Sequence, residues 1–330
     1  MISKKLQEEI QKNIENKQQT ILFLNRRGYS TFIMCRDCGY TIKCKNCNIT
    51  MTYHLKQNKL KCHYCGYEEE PVTTCPECKG TNIRYFGTGT QKLEEEVKKL
   101  FSNATTIRMD VDTVTKKNSH EEILNKFKNE NIDILIGTQM VVKGHHFPKV
   151  SLVGVIAADS SLNIEDFRAN ERTFQILTQV AGRAGREELE GRVIIQTYNP
   201  DSIAVELAQK QDYKAFYESE IGIRKQLKYP PFCDIIVIGL SGEKEQEVIK
   251  EAKKIHKYLK ERIITKKIGV LLYSPVPAPI DKIKNKYRYR MIIKCLYNNQ
   301  INELLEQTIK ANELKKDVRL SIEINPQNMM

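Results

Sequence analysis

The sequence predicts an α/β layer with a largely parallel sheet, interrupted early by a cysteine-rich insertion and followed by a small α+β domain. Three observations carry this reading. From Gly87 to Pro200 apolar runs of strand length alternate with helical segments, the order that builds a parallel sheet with crossover helices. Eight of the ten cysteines fall between Cys35 and Cys78, as four Cys-x-x-Cys pairs. After Tyr229-Pro230-Pro231 the pattern becomes strand, helix, strand, strand, helix, strand, the split βαββαβ order.

Taken in order, a helix of alternating charge over Ser3–Asn16 runs into a strand at Thr20–Leu24. Asn25-Arg26-Arg27-Gly28 turns the chain, a strand at Thr31–Met34 enters the cysteine block, and one at Asn82–Phe86 leaves it. Leu93, Val97 and Leu100 mark the next helix face, since residues three and four apart share a side. Strands follow at Thr106–Met109, Ile132–Ile136, Leu152–Ala157 and Arg192–Thr197, with helices at His120–Lys128 and Glu171–Ala184. A linking helix around Ser202–Glu220 leads to the last unit. There strands are expected at Cys233–Leu240, Ile268–Tyr273, Tyr287–Leu296 and Val318–Ile324, and helices at Lys244–Arg262 and Ile301–Lys315. The expected organisation is a layer formed by 1–34 and 79–228, an insertion at 35–78, and a carboxy-terminal α+β domain at 229–330.

At roughly 150 residues per domain, a chain of 330 residues accommodates two or three such units. No run of 18 apolar residues occurs, and Met1 is followed by Lys4, Lys5, Glu8 and Glu9. That pattern argues against a membrane span and a secretory signal, so a cytoplasmic protein with no membrane partner is expected. No period of solenoid type recurs. The formal net charge of +12 favours a polyanion partner such as nucleic acid.

The cysteine spacing is Cys35-x2-Cys38, Cys44-x2-Cys47, Cys62-x2-Cys65 and Cys75-x2-Cys78. Zinc takes four thiolates in a closed tetrahedral site, so eight cysteines supply two structural zinc ions. Redox pairs are disfavoured, because a thioredoxin-type motif comes singly near a βαβ unit. His63, inside Cys62-His63-Tyr64-Cys65, reads as a bystander. With two zinc ions neutralising four of the eight thiolate charges, the net charge falls to about +8.

Two glycine-bearing loops and one arginine motif carry the remaining chemistry. Gly87-Thr88-Gly89-Thr90-Gln91 follows a strand and opens a helix, where backbone amides can cradle a phosphate. It is not a P-loop, because the Gly-Lys-Ser/Thr ending is absent. Gly137-Thr138-Gln139-Met140 follows another strand, with Lys143-Gly144-His145-His146-Phe147-Pro148 behind it. The sharpest motif is Gln179-Val180-Ala181-Gly182-Arg183-Ala184-Gly185-Arg186. Two arginines three apart on a helix share a face, and guanidinium forks suit phosphate oxygens.

Gln-x-x-Gly-Arg-x-Gly-Arg resembles the sixth helicase motif of superfamily 2, and Gly137–Pro148 resembles the fifth. Asn25–Tyr29 before an eight-cysteine insertion, Glu171-Arg172-Thr173-Phe174-Gln175, Tyr229-Pro230-Pro231-Phe232 and Pro277-Ala278-Pro279-Ile280 extend the likeness over essentially the whole chain. Together they resemble the carboxy-terminal half of the primosomal replication-restart helicases, the PriA family. The resemblance implies a RecA-like second helicase lobe and an ATP-dependent 3′→5′ DNA helicase that recognises stalled forks and directs primosome assembly. It implies forked DNA, single-stranded DNA-binding protein and primosome proteins as partners. It assigns Gln179, Arg183 and Arg186 to the nucleotide cleft, with Arg186 as arginine finger. Lys143, Gly144 and Thr138 are assigned to nucleotide or DNA, and Thr88 and Thr90 to DNA phosphates. It also implies nested metal pairing, with Cys35, Cys38, Cys75 and Cys78 on one ion and Cys44, Cys47, Cys62 and Cys65 on the other.

No Gly-x-x-x-x-Gly-Lys-Ser/Thr and no Asp-Glu-x-His occurs in these 330 residues. The first motor lobe is therefore expected to be missing, with ATP and magnesium bound only when it is supplied and no hydrolysis by this chain alone. Ala157-Ala158-Asp159 follows the fifth motif and is no displaced acidic box. A non-enzymatic zinc-bearing DNA and protein adaptor is the alternative for the isolated chain. A zinc-ribbon transcription or translation factor leaves Gln179–Arg186 unexplained. Between Lys253 and Lys294 there are 13 basic residues against Glu261 and Asp281. Within that stretch Lys282, Lys284, Lys286, Arg288 and Arg290 alternate with Ile283, Asn285, Tyr287 and Tyr289. In an extended segment this alternation places five charges on one face, a candidate DNA contact.

Overall fold

The computed structural model describes residues 1–24, 32–54, 57–86 (backbone alone at 85 and 86), 89–110, 113, 119–138, 147–184, 190–312 and 314–329. The expected turn at 25–28 lies outside them.

Helix α1 (Lys4–Glu15) starts at Ser3, whose hydroxyl caps the Leu6 amide at 3.3 Å. It buries Leu6 and Ile10. Asn13 then ties it to β1 (Gln19–Leu24), donating to Gln19 O and Thr20 Oγ1, both at 3.1 Å. The parallel sheet is completed by β7 (Thr106–Met109), β8 (Ile134–Gly137), β9 (Val150–Ile156) and β10 (Arg192–Ile195), in the order β10-β9-β1-β8-β7. All four pairings are parallel. Along β1, Ile21 and Phe23 enter one core and Leu22 and Leu24 the other. A strand covered on both faces has no reason to alternate with polar residues, hence its continuous apolar run.

One face carries α1 and α2 (Thr90–Leu100); the other carries α3 (Ser119–Asn129), α5 (Ala169–Ala181), α6 (Ile203–Gln209) and α7 (Tyr213–Gln226). Three details differ from expectation. Leu100 is exposed, and Phe101 takes its place in the core. A short helix α4 (Asp159–Leu162) precedes α5. The linking helix is two, α6 and α7, parted at Gln211, whose φ of +52° ends the first.

After β1 the chain leaves the sheet through β2 (Phe32–Cys35) and returns through its antiparallel partner β6 (Ile83–Phe86). Between them lies a ribbon with β3 (Thr52–His54), β4 (Lys59–Lys61) and β5 (Glu68–Glu69).

The carboxy-terminal sheet comprises β11 (Asp234–Gly242), β12 (Leu271–Leu272), β13 (Val276–Ile283), β14 (Lys286–Cys295) and β15 (Val318–Ile324), with α8 (Glu245–Thr265) and α9 (Asn299–Ala311) on one face. Its antiparallel order β12-β14-β11-β15 is that of the split βαββαβ unit. The strand expected at Ile268–Tyr273 shrinks to Leu271–Leu272, and β13 follows it along the same edge of β14. Pro277 and Pro279 lie within β13, tolerable because an edge strand has N–H positions that need no partner.

Candidate metal centres and motor face

The four Cys-x-x-Cys turns are built alike. The amide four residues after the first cysteine donates to that cysteine's carbonyl: Gly39 to Cys35 at 3.0 Å, Asn48 to Cys44 at 2.7 Å, Gly66 to Cys62 at 2.8 Å, and Lys79 to Cys75 at 3.0 Å. Each donor residue has positive φ, +77°, +53°, +78° and +61° in turn, a conformation cheapest for glycine and next for asparagine. Such turns leave both thiols of a pair pointing to one side.

The thiols converge as Cys35, Cys38, Cys75 and Cys78 in an outer set and Cys44, Cys47, Cys62 and Cys65 in an inner one, each with its sulfurs within 4.8 Å of one another. This is the nested pairing. Sulfur atoms stand 3.6 Å apart in Cys35–Cys78, Cys38–Cys75 and Cys44–Cys65. A tetrahedron with zinc–sulfur bonds of 2.3 Å has edges of about 3.8 Å, whereas a disulfide is near 2.05 Å. The metal-free thiols cannot all ionise at this spacing. A hydrogen bond with Cys47 draws Cys44 down to about 2, while one with Cys44 pushes Cys62 far up. A divalent cation resolves that conflict, so each set fits one zinc ion, two per chain. His63 is no ligand: its Nδ1 lies 2.8 Å from Pro277 O and its Nε2 3.0 Å from His54 Nε2.

Thr138 leaves the carboxyl end of β8, and Thr90, reached from β6, is bonded to Asp110 directly after β7, at the strand ends where open α/β sheets hold their ligands. Gly89 is the N-cap of α2, and the Thr90 side chain is buried, its hydroxyl donating to Asp110 Oδ2 at 2.5 Å. Thr90 therefore offers a phosphate its backbone, not its hydroxyl. Burial alone would raise the Asp110 carboxyl; bonds from Thr90, the Thr113 amide and Arg108 hold it below the ordinary value. Thr138, after β8, is half-buried, its amide donating to Met109 O at 3.4 Å. Gln179 is exposed in the last turn of α5. The helix expected to Ala184 stops earlier: α5 ends at Ala181, Gly182 is its C-cap, and Arg183 stands in the following turn with its amide on Val180 O at 3.0 Å. Thr88, Lys143, Gly144 and Arg186 lie outside the described residues. Asp159 is fully buried, accepting the Thr197 hydroxyl and the Tyr198 amide, each at 3.0 Å. Its work is to hold a loop.

The basic stripe is not one extended segment. Lys284 and Asn285 have φ of +48° and +61° and turn β13 back into β14, with Lys282 opposite Tyr287 and Ile283 opposite Lys286. Paired residues share a face, so Lys282 lies on the opposite face from Lys286, Arg288 and Arg290. Lys282 and Lys284 are exposed, and Lys286 and Arg288 half-buried. Arg290 is buried against the ribbon, with Nε and Nη2 on His63 O, which removes it from the candidate DNA contacts.

Sequence reasoning also missed the polar junction behind the ribbon. Glu165 accepts the Thr52 hydroxyl at 2.9 Å and the His63 amide; Asn163 Oδ1 accepts the Thr41 hydroxyl at 2.9 Å and the Thr50 hydroxyl at 3.2 Å. Asp166 pairs with Arg172 of α5 at 2.9 Å and accepts the Met329 amide at 3.4 Å. The available signal was Asn163-x-Glu165-Asp166, polar residues close behind a run apolar enough for a central strand.

Three family models match the chain: "Helicase conserved C-terminal domain" over 72–188, "PriA DNA helicase Cys-rich region (CRR) domain" over 44–69, and "Primosomal protein N C-terminal domain" over 225–327. Relatives named replication restart protein PriA include that of Bacillus subtilis (strain 168), 46% identical over 100% of this chain and 41% of the relative. Those of Synechocystis sp. and Borreliella burgdorferi are 40% and 38% identical, over 94% and 98% of this chain and 37% and 48% of the relatives. The chain thus spans roughly two fifths to one half of the length of these curated relatives. It belongs to the PriA family and corresponds to the carboxy-terminal part of those proteins.

Proposed function

We propose that the chain is the carboxy-terminal part of an ATP-dependent 3′→5′ DNA helicase. In this reading it acts at stalled replication forks in the cytoplasm, with single-stranded DNA-binding protein and primosome proteins as partners. The supporting observation is the parallel sheet within the stretch matched by the helicase model, with Thr138 directly after β8 and Thr90 bonded to Asp110 directly after β7. Gln179, Arg183 and Arg186 then face a nucleotide whose phosphates and magnesium are held by the first motor lobe. Phosphoryl transfer is positioning and charge stabilisation, and an arginine finger supplies only part of it. Thr138, Lys143 and Gly144 approach nucleotide or DNA, and the amides at Thr88–Thr90 receive a DNA phosphate. Lys282, Lys284, Lys286 and Arg288 contact DNA backbone without reading sequence. No described helix is long and apolar enough to cross a membrane.

The test is a chimera in which this chain replaces the matching part of the Bacillus subtilis relative. DNA-stimulated ATP turnover and unwinding should be retained, and Arg186→Ala should lower turnover by roughly a thousandfold or more. Turnover indifferent to Arg186→Ala would sink the assignment.

A further inference from the structure

Among the described residues two cationic side chains are buried, Arg290 and Lys294, 5% and 9% exposed. Both stand on β14, and alternation along the strand puts them on one face. Ile292 between them enters the core shared with the ribbon, while Met291, Ile293 and Cys295 enter the core under α8 and α9.

Their hydrogen-bond partners are neutral carbonyls. The Arg290 guanidinium donates to His63 O at 3.2 and 3.0 Å and to Met329 O. Lys294 Nζ donates to Leu227 O at 3.3 Å and lies 3.6 Å from the centroid of the Tyr229 ring, whose hydroxyl donates to Cys47 O at 2.9 Å. No carboxylate of the described residues forms an ion pair with either. A buried cation without opposite charge nearby is strongly disfavoured. Glu165 lies on the far side of the His63 peptide, where it accepts the His63 amide. It is one charge against two.

The inner metal set supplies the rest. Cys47 and His63, the latter next to Cys62, are where these contacts meet the ribbon. Four thiolates around a divalent ion carry a net charge of −2, and three of the inner ligands, Cys44, Cys47 and Cys62, are buried. Two buried cations on the carboxy-terminal domain match that charge. The outer set is placed differently. Cys38 and Cys78 are exposed, and its Cys35–Gly39 turn leans on the motor lobe: Gly39 abuts Tyr198 O, and the Arg36 guanidinium lies 4.9 Å from the Tyr198 ring.

We propose that the inner zinc centre is the tie that docks the carboxy-terminal domain. Arg290 and Lys294 are the counter-charges of its zinc–thiolate dianion. Occupancy of the inner site and seating of β14 on the ribbon depend on each other, and the outer centre is independent of both.

The test uses the zinc-loaded 330-residue chain and the double variant Arg290→Gln, Lys294→Met. A chromophoric chelator should strip one ion per chain ten- to hundredfold more readily than from the parent, the range for lost outer-shell partners, with the second ion unchanged. Cadmium-113 substitution should give two resonances. Only the one that persists in Cys38→Ser, where the outer set is broken, should move in the double variant. A second arm needs no charge variant. With Cys65→Ser, whose retained outer resonance reports a folded chain, amide exchange at 227–233 and 326–329 should accelerate at least tenfold, while Cys38→Ser leaves it as in the parent. Equal weakening of both ions, or exchange unchanged in Cys65→Ser, overturns the proposal.

Discussion

Replacing Gly39 with alanine tests whether the outer cysteine turn is pressed into the motor lobe. Gly39 has φ +77°, and an added Cβ would lie 2.4 Å from Tyr198 O and 2.8 Å from Tyr198 C. The left-handed conformation costs alanine about 1–2 kcal/mol, and a less flexible unfolded chain returns about 0.4–1. The clash must be relieved by moving a backbone carbonyl, and that segment cannot retreat freely. Buried Asp159 holds it through the Tyr198 amide and Thr197 hydroxyl, each at 3.0 Å. Loosening those bonds costs roughly 1–3 kcal/mol. The net expectation is a loss of about 2–4 kcal/mol in urea unfolding of the zinc-loaded chain. Gly222, in α7 with nothing within 4 Å of its ideal Cβ, is the control. There alanine should stabilise by about 0.5–1 kcal/mol. Gly39→Ala within 0.5 kcal/mol of the parent would refute the close approach.

Metal analysis of reduced protein should find two zinc ions per chain, and one or none would contradict the two thiolate sets. Tyr229→Phe leaves Cys47 O without its donor and should cost about 1–3 kcal/mol, read from the shift in urea midpoint. Changing Lys282, Lys284, Lys286 and Arg288 to Gln should flatten the salt dependence of branched-DNA binding by about 0.9 in log–log slope per lost duplex phosphate contact; an unchanged slope discards the hairpin as a DNA contact. Burial, then Lys260, lowers the His256 imidazole below its ordinary 6.5. Its NMR titration midpoint should fall below that value, and its contribution to stability, present above 6.5, should be lost as pH drops through the lowered midpoint.

The legible parts of the fold have a local cause. Strand β1 is readable because burial on both faces demands the run Thr20–Leu24, and the ribbon because metal ligation needs cysteines at fixed spacing. Strand β13 is hidden by Pro277 and Pro279, which signal a break unless the strand is known to lie at an edge. Lys282–Arg290 shows the opposite failure: regular alternation suggests one extended face, yet the left-handed pair Lys284–Asn285 folds it in two. Arg290 looks like its exposed neighbours because its partner, the His63 carbonyl, lies 227 residues away. Of the motif residues, Thr90 is identifiable but its hydroxyl's engagement with Asp110 is not, since a lone acid after a strand carries no local signal. Arg183 is legible by its neighbours, whereas the end of α5 two residues earlier depends on Gly182 acting as a cap.

The central position of β1 has a consequence for synthesis. Its two sheet neighbours, β8 and β9, begin about 110 and 126 residues after it ends. At about 5–20 residues per second, an apolar strand waits many seconds for either partner. The cysteine turns close within Cys35–Cys78 and need only metal, so the ribbon can assemble during that interval. Zinc supply then becomes a checkpoint passed before the parallel sheet exists.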